Sequence, residues 1–266
     1  MKLRIISDLH IDVNKDYMPT FIWTDKDILT VIAGDTAGSL EATALFIRAH
    51  FNNAILVGGN HIVYNYEHKT IQQLHDDYRK EFPLGSTVSY LENNYKVIDN
   101  VVFIGATLWT DYQYKLEISE NMWYAASGLN DFRWGNFAEA DGKVVPLQPR
   151  HCRDMFNESL AFIKTVYDQF ADTGKKIVLV VHHAVSPKAI NKQYKHSLLN
   201  ASFVSDLEVY IKTDLPKLSL IVHGHVHSRH RYKIKNIPVV CNPYGYINYG
   251  EHAKEPSWNK DLIIEI

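Results

Sequence analysis

Two cysteines in 266 residues, Cys152 and Cys241, are too few and too far apart for a disulfide framework, and neither sits in a metal-binding spacing. They read as buried or partly buried structural thiols in a reduced compartment. Charge of one sign is also missing: 28 Lys and Arg against 30 Asp and Glu leave a net −2. That balance provides no general field for a nucleic-acid polymer. No apolar run is long enough to span a bilayer, and no basic leader precedes the first apolar segment, which begins almost at Met1. A cytoplasmic protein without a membrane partner is the expectation. Internal repeats, low-complexity tracts and long linkers are absent too. The remaining composition, 46% hydrophobic and 22% charged, is that of an ordinary globular chain.

What the chain does have is a series of polar residues, each just after a short apolar run. Asp8 and His10 follow LRIIS, Asp35 follows ILTVIAG, Asn60 and His61 follow AILVGG, His182 and His183 follow IVLVV, and His225 and His227 close LSLIVHGHVH. Such runs read as buried strands, and in α/β sheets ligands collect outside the carboxyl ends of the strands. Carboxylate, amide oxygen and imidazole together suit Mn, Fe, Zn, Co or Ni, and thiolate is missing from the set. There are enough groups for two divalent ions. A carboxylate between them can bridge both, and a hydroxide held in the same gap becomes a nucleophile at neutral pH. The competing explanation is capping, since Asp8, Asp35 and Asn60 all precede segments that could start helices. Capping does not explain the histidines at the matching offsets.

The ordered motifs Asp8-x-His10, Gly34-Asp35, Gly59-Asn60-His61, a histidine after an apolar strand, and Gly224-His225-x-His227 resemble the calcineurin-like metallophosphoesterase superfamily. The resemblance spans residues 8 to 227. It implies a two-sheet α/β/β/α sandwich with a dimetal site at the strand ends, in one domain over residues 1–266. It also implies that Asp8, His10 and His227 hold one ion, that Asp35 bridges, and that Asn60, His182 and His225 hold the second, with Mn favoured. His61 would stand beside the ions, ready to stabilise or protonate the leaving oxygen. Ile62 departs from the pattern, because many members carry Asp or Glu there and an acidic partner normally helps to fix the imidazole. In the pair after IVLVV, His182 is the expected ligand, and His183 faces the substrate or supports a ligand.

Strands are expected near residues 2–6, 28–33, 54–57, 101–105, 177–181, 218–222, 237–241 and 261–265, and helices near 39–50, 67–81, 151–171 and 203–213. In the longest helix Phe156, Leu160, Ile163, Tyr167 and Phe170 make one apolar stripe for a sheet, and Gly174 ends it. Residues 106–150 form a cap-like insertion rich in aromatics, either a small core of its own or a lid whose aromatic faces stack an aryl group or base while Arg133 grips a phosphate oxygen. Arg229, Arg231, Lys233 and Lys235 alternate as on one strand face, either a charged edge or a phosphate-attracting margin. Asn242–Tyr246 reads as a turn, with Tyr246 a further candidate substrate contact.

The expected activity is metal-assisted hydrolysis of a phosphate ester by attack of the bridging hydroxide. A small phosphodiester or nucleotide-like substrate is favoured because polymer-binding charge is missing and the insertion is aromatic. The alternatives are a phosphomonoesterase, including a protein phosphatase, and, from another class, a metal-bound binding module that has lost turnover.

Overall fold

In a computed structural model, which describes residues 1–15, 28–64, 68–251 and 258–266, two sheets pack face to face with helices outside them. The elements in chain order are β1 Lys2–Ile6, β2 Leu29–Ala33, α1 Leu40–His50, β3 Ala54–Val57, α2 Ile71–Glu81, β4 Val88–Tyr90, β5 Asn94–Ile98 and β6 Val101–Ala106. They continue as α3 Ile118–Gly128, α4 Asp131–Trp134, β7 Asn136–Ala138, β8 Val144–Pro146, α5 Pro149–Phe170, β9 Lys176–Val181, α6 Glu208–Asp214, β10 Leu218–His223, β11 His230–Ile234, β12 Ile237–Cys241 and β13 Ile263–Glu265. One sheet runs β13-β1-β2-β3-β4 and the other β11-β12-β10-β9-β6-β5. The central pairs β1/β2, β2/β3, β6/β9, β9/β10 and β10/β12 are all parallel, and the antiparallel pairs β1/β13, β5/β6 and β11/β12 lie at the edges. Parallel strands covered on both faces read as unbroken apolar runs, which is why LTVIA, AILV and KIVLVV carry so clear a signal.

Side chains alternate between two cores along these strands. Leu3, Ile5, Val31 and Ile55 meet Phe103, Val178, Val180, Leu220 and Val222 between the sheets. Ile6, Ile32 and Leu56 turn the other way to join α1 and α2, and Ile104, Leu179 and Ile221 join the α5 side. The α5 stripe is core as expected: Phe156, Ile163 and Tyr167 are buried, with Leu160 and Phe170 partly buried against them. Gly174 sits three residues beyond the C-cap Ala171, in a turn with φ +76°.

Differences from the expected elements have local causes. Pro149 is pre-shaped for a first helical turn, so α5 starts two residues early. A capping box of Thr70 and Gln73 starts α2 at Ile71, and the expected start at residue 67 lies outside the described residues. Residues 203–207 are not helical, because Ala184 and Val204 pair as a β-bridge; α6 begins only at Glu208. The insertion folds as α3, α4 and the β7–β8 hairpin, none of which was expected. Arg229, Arg231, Lys233 and Lys235 are exposed, while Ile234 is buried and His230 and Tyr232 are half-buried. No helix among the described residues is long and apolar enough to cross a membrane. Cys152 and Cys241 are both free and buried.

Glu92, which follows the short β4 strand, ties the second sheet to the loop above it. Its Oε2 accepts from Thr107 N at 2.8 Å and Thr107 Oγ1 at 2.7 Å, and the Thr107 carbonyl in turn accepts from His182 N at 3.3 Å and His183 N at 3.2 Å. Burial pushes the Glu92 carboxyl up to about 7 from 4.5, against the two Thr107 hydrogen bonds and Arg79, which act to lower it. The folded state therefore holds this proton more tightly than the unfolded chain. The contribution is greatest below pH 4.5 and is lost as pH rises through 7. Chemical denaturation of the wild type and Glu92→Gln from pH 5 to 8 should show the wild type losing stability relative to the variant as pH rises. A constant difference would contradict this account.

Candidate metal centre

The centre lies where the carboxyl ends of both sheets meet. Beyond β1, Asp8 N donates to Gly34 O at 3.0 Å and His10 N to Asp35 O at 3.1 Å; beyond β2, Asp35 N donates to Gly58 O at 3.0 Å. Gly224 N donates to His182 O at 3.0 Å, so the loop after β10 is fastened to the end of β9. Five residues here have left-handed backbones: Asp8 (φ 52°), His10 (43°), Asp35 (53°), His225 (69°) and His227 (44°). This conformation is uncommon for residues with side chains, and strain of this kind collects at functional sites. The turns after β2 and β3 need glycine. A Cβ at Gly34 (φ 92°) would enter the His182 ring, and one at Gly59 (φ 81°) would stand 2.7 Å from Asp35 N and run into the Asp35 carboxylate.

The local structure removes the capping explanation. The side chain that caps α1 is Ser39, the short 3₁₀ turn Asn60–Val63 is preceded by Gly59, and Asp8, Asp35 and Asn60 point to one another's neighbours instead. Three sets of side chains have donor atoms within 4.8 Å of one another: Asp8–His10–His227, His10–Asp35–His61 and Asp35–His182–His225. His10 Nε2 and His227 Nε2 are 3.0 Å apart, and His227 Nε2 is 3.6 Å from Asp8 Oδ1. Asp35 Oδ2 lies 3.2 Å from His182 Nε2 and 3.9 Å from both His10 Nε2 and His61 Nε2, which puts it between the outer two sets. Asn60 Oδ1 is 3.0 Å from His182 Nε2. Asp8 Oδ2 and His225 Nε2 are buried without a hydrogen-bond partner among the described residues. Buried polar atoms are rarely left so, and acceptor atoms converging from carboxylate, amide and imidazole fit divalent cations.

The electrostatics follow from crowding in a dry site. Burial would depress His182, but the Asp35 charge, its hydrogen bond to Asp35 and the Asp8 charge outweigh it and raise the imidazole to about 9. Burial would likewise raise Asp35, yet His182 and His61 hold it well below the usual carboxylate range. Burial and the neighbouring histidines push His10 and His225 down, toward the neutral form that binds metal.

Several residues that support this cluster carried no mark in the sequence. Asp131, at the start of α4, accepts from Asn60 Nδ2 at 2.9 Å and from Tyr64 OH at 3.0 Å. It therefore fixes which end of the Asn60 amide faces His182. Glu251 accepts from His227 Nδ1 at 2.8 Å, which turns Nε2 toward Asp8. The same Oε2 accepts Tyr246 N at 2.7 Å, and the Tyr246 hydroxyl is 2.8 Å from His61 Nε2.

The remaining candidates divide. Tyr246 is at the centre, against His61. His183 is buried, with Nδ1 3.2 Å from Thr107 O and its ring 4.2 Å from that of His225, so it backs a neighbour and lies outside the lining of the cavity. Arg133 is exposed and reaches Asn130 Oδ1 at 3.3 Å, outside the lining of the cavity above the cluster. The aromatics of residues 106–150 are spread over several surroundings. Trp109 and Tyr112 are core, Trp123 and Trp134 are 64% and 48% exposed, and the insertion lines the cavity only with Gly128–Asp131. Its other wall, residues 190–203, was not singled out in the sequence. The cavity holds about 370 Å³ and opens directly on Asp35, Asn60, His61, His225 and His227.

Comparison with known proteins bears on the family and the fold. A family model described as calcineurin-like phosphoesterase matches residues 1–229. Uncharacterized protein L509 of Acanthamoeba polyphaga mimivirus is 22% identical over 269 residues, covering 92% of this chain and 91% of that protein. Among solved structures, a phosphopantetheinyl hydrolase from Mycobacterium tuberculosis is similar with a TM-score of 0.70 at 17% identity, over 97% of this chain and 94% of that one. A dimetal phosphatase from Danio rerio gives 0.53 at 14% identity, over 93% and 88%. At these identities the two structures speak for the fold.

Asp131 makes the Asn60 orientation testable. Asp131→Leu should weaken binding of one of two Mn ions by about 10- to 100-fold and leave the other nearly unchanged, as read by calorimetric titration. Equal loss at both sites, or none, would contradict the role given to Asp131.

Proposed function

The chain belongs to the calcineurin-like phosphoesterase family, and we propose that it is a two-metal phosphoesterase acting on a small phosphate ester, with diesters favoured over monoesters. The observation that carries this reading is the position of Asp35, whose carboxylate lies within 3.9 Å of His10, His61 and His182 and so stands beside ligands proposed for each ion. In the proposed arrangement Asp8, His10 and His227 hold one divalent ion, Asn60, His182 and His225 hold the other, and Asp35 serves both, with Mn the favoured metal. When bound, the ions supply Lewis-acid activation of water and of the phosphoryl oxygens.

The rest of the work falls to this chain's own groups. His61 N donates to Asp35 Oδ1 at 3.0 Å, which anchors the backbone of the residue that faces the cavity. The His61 imidazole, held at Nε2 by the Tyr246 hydroxyl, is the group placed to meet the leaving oxygen. Glu251 stiffens both partners by gripping His227 Nδ1 and Tyr246 N. Tyr246 thus meets the need for an orienting partner that Ile62 leaves open, and this favours turnover over a passive metal-bound module. The cavity is walled on two sides and of small-molecule size, which favours a compact ester over a polymer or a folded phosphoprotein. The wall beyond the metals gives room for the second organic arm of a diester.

Asp35→Asn should lower turnover of bis(p-nitrophenyl) phosphate by at least about 100-fold and lower metal content together. His61→Ala should lower kcat by about 100-fold or more with metal content retained, and should hurt poor leaving groups most. An Asp35→Asn protein with full activity and both ions would defeat the proposal. Faster cleavage of p-nitrophenyl phosphate than of the diester would reverse the preference.

A further inference from the structure

We infer that the cavity wall away from the metals is a subsite for an uncharged, amphipathic arm of the substrate, one that carries amide or hydroxyl groups along an apolar chain. The inference rests on the proposed hydrolysis only for the position of the phosphoryl group. The wall is built from two segments outside the sheets, Gly128–Asp131 from the end of α3 to the start of α4 and residues 190–203. They are packed on each other: a Cβ at Gly128 would stand 3.0 Å from Leu199 Cδ2.

Leu129, Ile190, Leu199 and Phe203 give this wall apolar surface. Between them stand neutral hydrogen-bonding groups. Asn200, only 5% exposed, donates Nδ2 to Tyr194 O at 2.8 Å and has no partner for Oδ1 among the described residues. Asn130 is exposed at the mouth, and its Oδ1 accepts from Arg133 at 3.3 Å. A buried carboxamide with spare capacity pairs best with a neutral donor, because leaving a charge unpaired beside apolar side chains costs far more than leaving an amide.

The charges that do face the cavity are negative. Asp131 and Glu251 line it with Asp35, and among the described residues no lysine or arginine does. Lys192 and Lys195 lie on the exposed side of the 190–203 segment, outside the lining. Bound divalent ions would compensate the phosphoryl group at the floor, but an anionic group on the far arm would stand beside apolar walls with no lysine or arginine of the described residues in the lining to compensate it. The subsite therefore selects against a second phosphate or a carboxylate, and hence against nucleoside diphosphates and polynucleotides.

The test uses two p-nitrophenyl phosphodiesters that share an N-acyl-aminoalkyl arm, one ending in a methyl amide and the other in a carboxylate. With Mn-loaded protein the neutral ester should be cleaved with a kcat/KM at least about 10-fold higher. Tyr194→Lys, at an exposed position in the wall, should narrow that ratio to below about 3-fold by placing a cation there. Equal or reversed preference in the wild type would overturn the subsite. A ratio unchanged in Tyr194→Lys would overturn its location. If neither ester is cleaved, the hydrolysis reading fails, and the subsite is judged by saturation-transfer NMR on the two phosphate-free arm alcohols. Transfer to the neutral arm alone, lost in Asn200→Leu, would then support the subsite; equal transfer to both arms, or none, would overturn it.

Discussion

Two carboxylates and several imidazoles share one dry seam between the ends of the two sheets, and most of the fold around them serves to make that tolerable. Asp8 and Asp35 contribute by accepting backbone N–H groups of loops from elsewhere in the chain. Asp8 Oδ1 accepts the backbone N–H of His225 at 2.8 Å, and Asp35 Oδ1 accepts that of His61 at 3.0 Å. Each carboxylate thereby fastens a loop; Asp35 keeps Oδ2 turned to the cluster, Asp8 faces His227 with the same Oδ1 at 3.6 Å, and the Asp8 bond joins the first sheet to the loop after β10. A cation would relieve what these bonds leave over, since uncompensated buried acceptors are costly. Metal and fold are then coupled: the ligands are set by backbone bonds between loops of different sheets, and the ions would tie the same loops together.

That coupling also explains why left-handed backbones occur at five of these positions. Asp8 and His10 lie beyond the end of β1, where the strand has stopped and the chain must turn to bring both side chains to one point. A left-handed residue turns the chain sharply enough to do this, at a cost of about 1–2 kcal/mol each. Parallel central strands with both faces buried supply the rigidity that holds such residues in place.

This division between strands and loops decides what was legible in the sequence. The central strands were readable because burial on both faces leaves long apolar runs, and Asp8, His10, Asp35, Asn60, His182, His225 and His227 were readable because they follow those runs at short offsets. β4, β7 and β8 have only three residues each, and β5 is largely half-exposed, too little pattern to detect. Asp131 and Glu251 act on Asn60 and His227 across 71 and 24 residues, and no local pattern records such a partnership. The pair His182 and His183 shows the same limit. Both follow β9, and only the tertiary contacts separate the one that meets Asp35 and Asn60 from the one that sits on Thr107.

Ile62 is the most instructive departure. An acidic residue at this position would be expected to orient the neighbouring histidine, but here the side chain is 1% exposed within the core beside α1 and α2. Gly58 packs closely on it, an added Cβ there lying 3.2 Å from Ile62 Cγ2, and Ile62 is not in the lining of the cavity. A carboxylate in that place would be buried among apolar groups and would be driven to the neutral form. The orienting contact has instead been taken over from the far end of the chain, by Tyr246. A phenol differs from a carboxylate in this role, since burial and the nearby Asp35 and Asp8 charges keep its proton on. It can hold His61 in place without adding a negative charge beside the imidazole. This makes the cavity side of the centre less anionic than an acidic partner for His61 would, while Asp8 and Asp35 remain at the cluster.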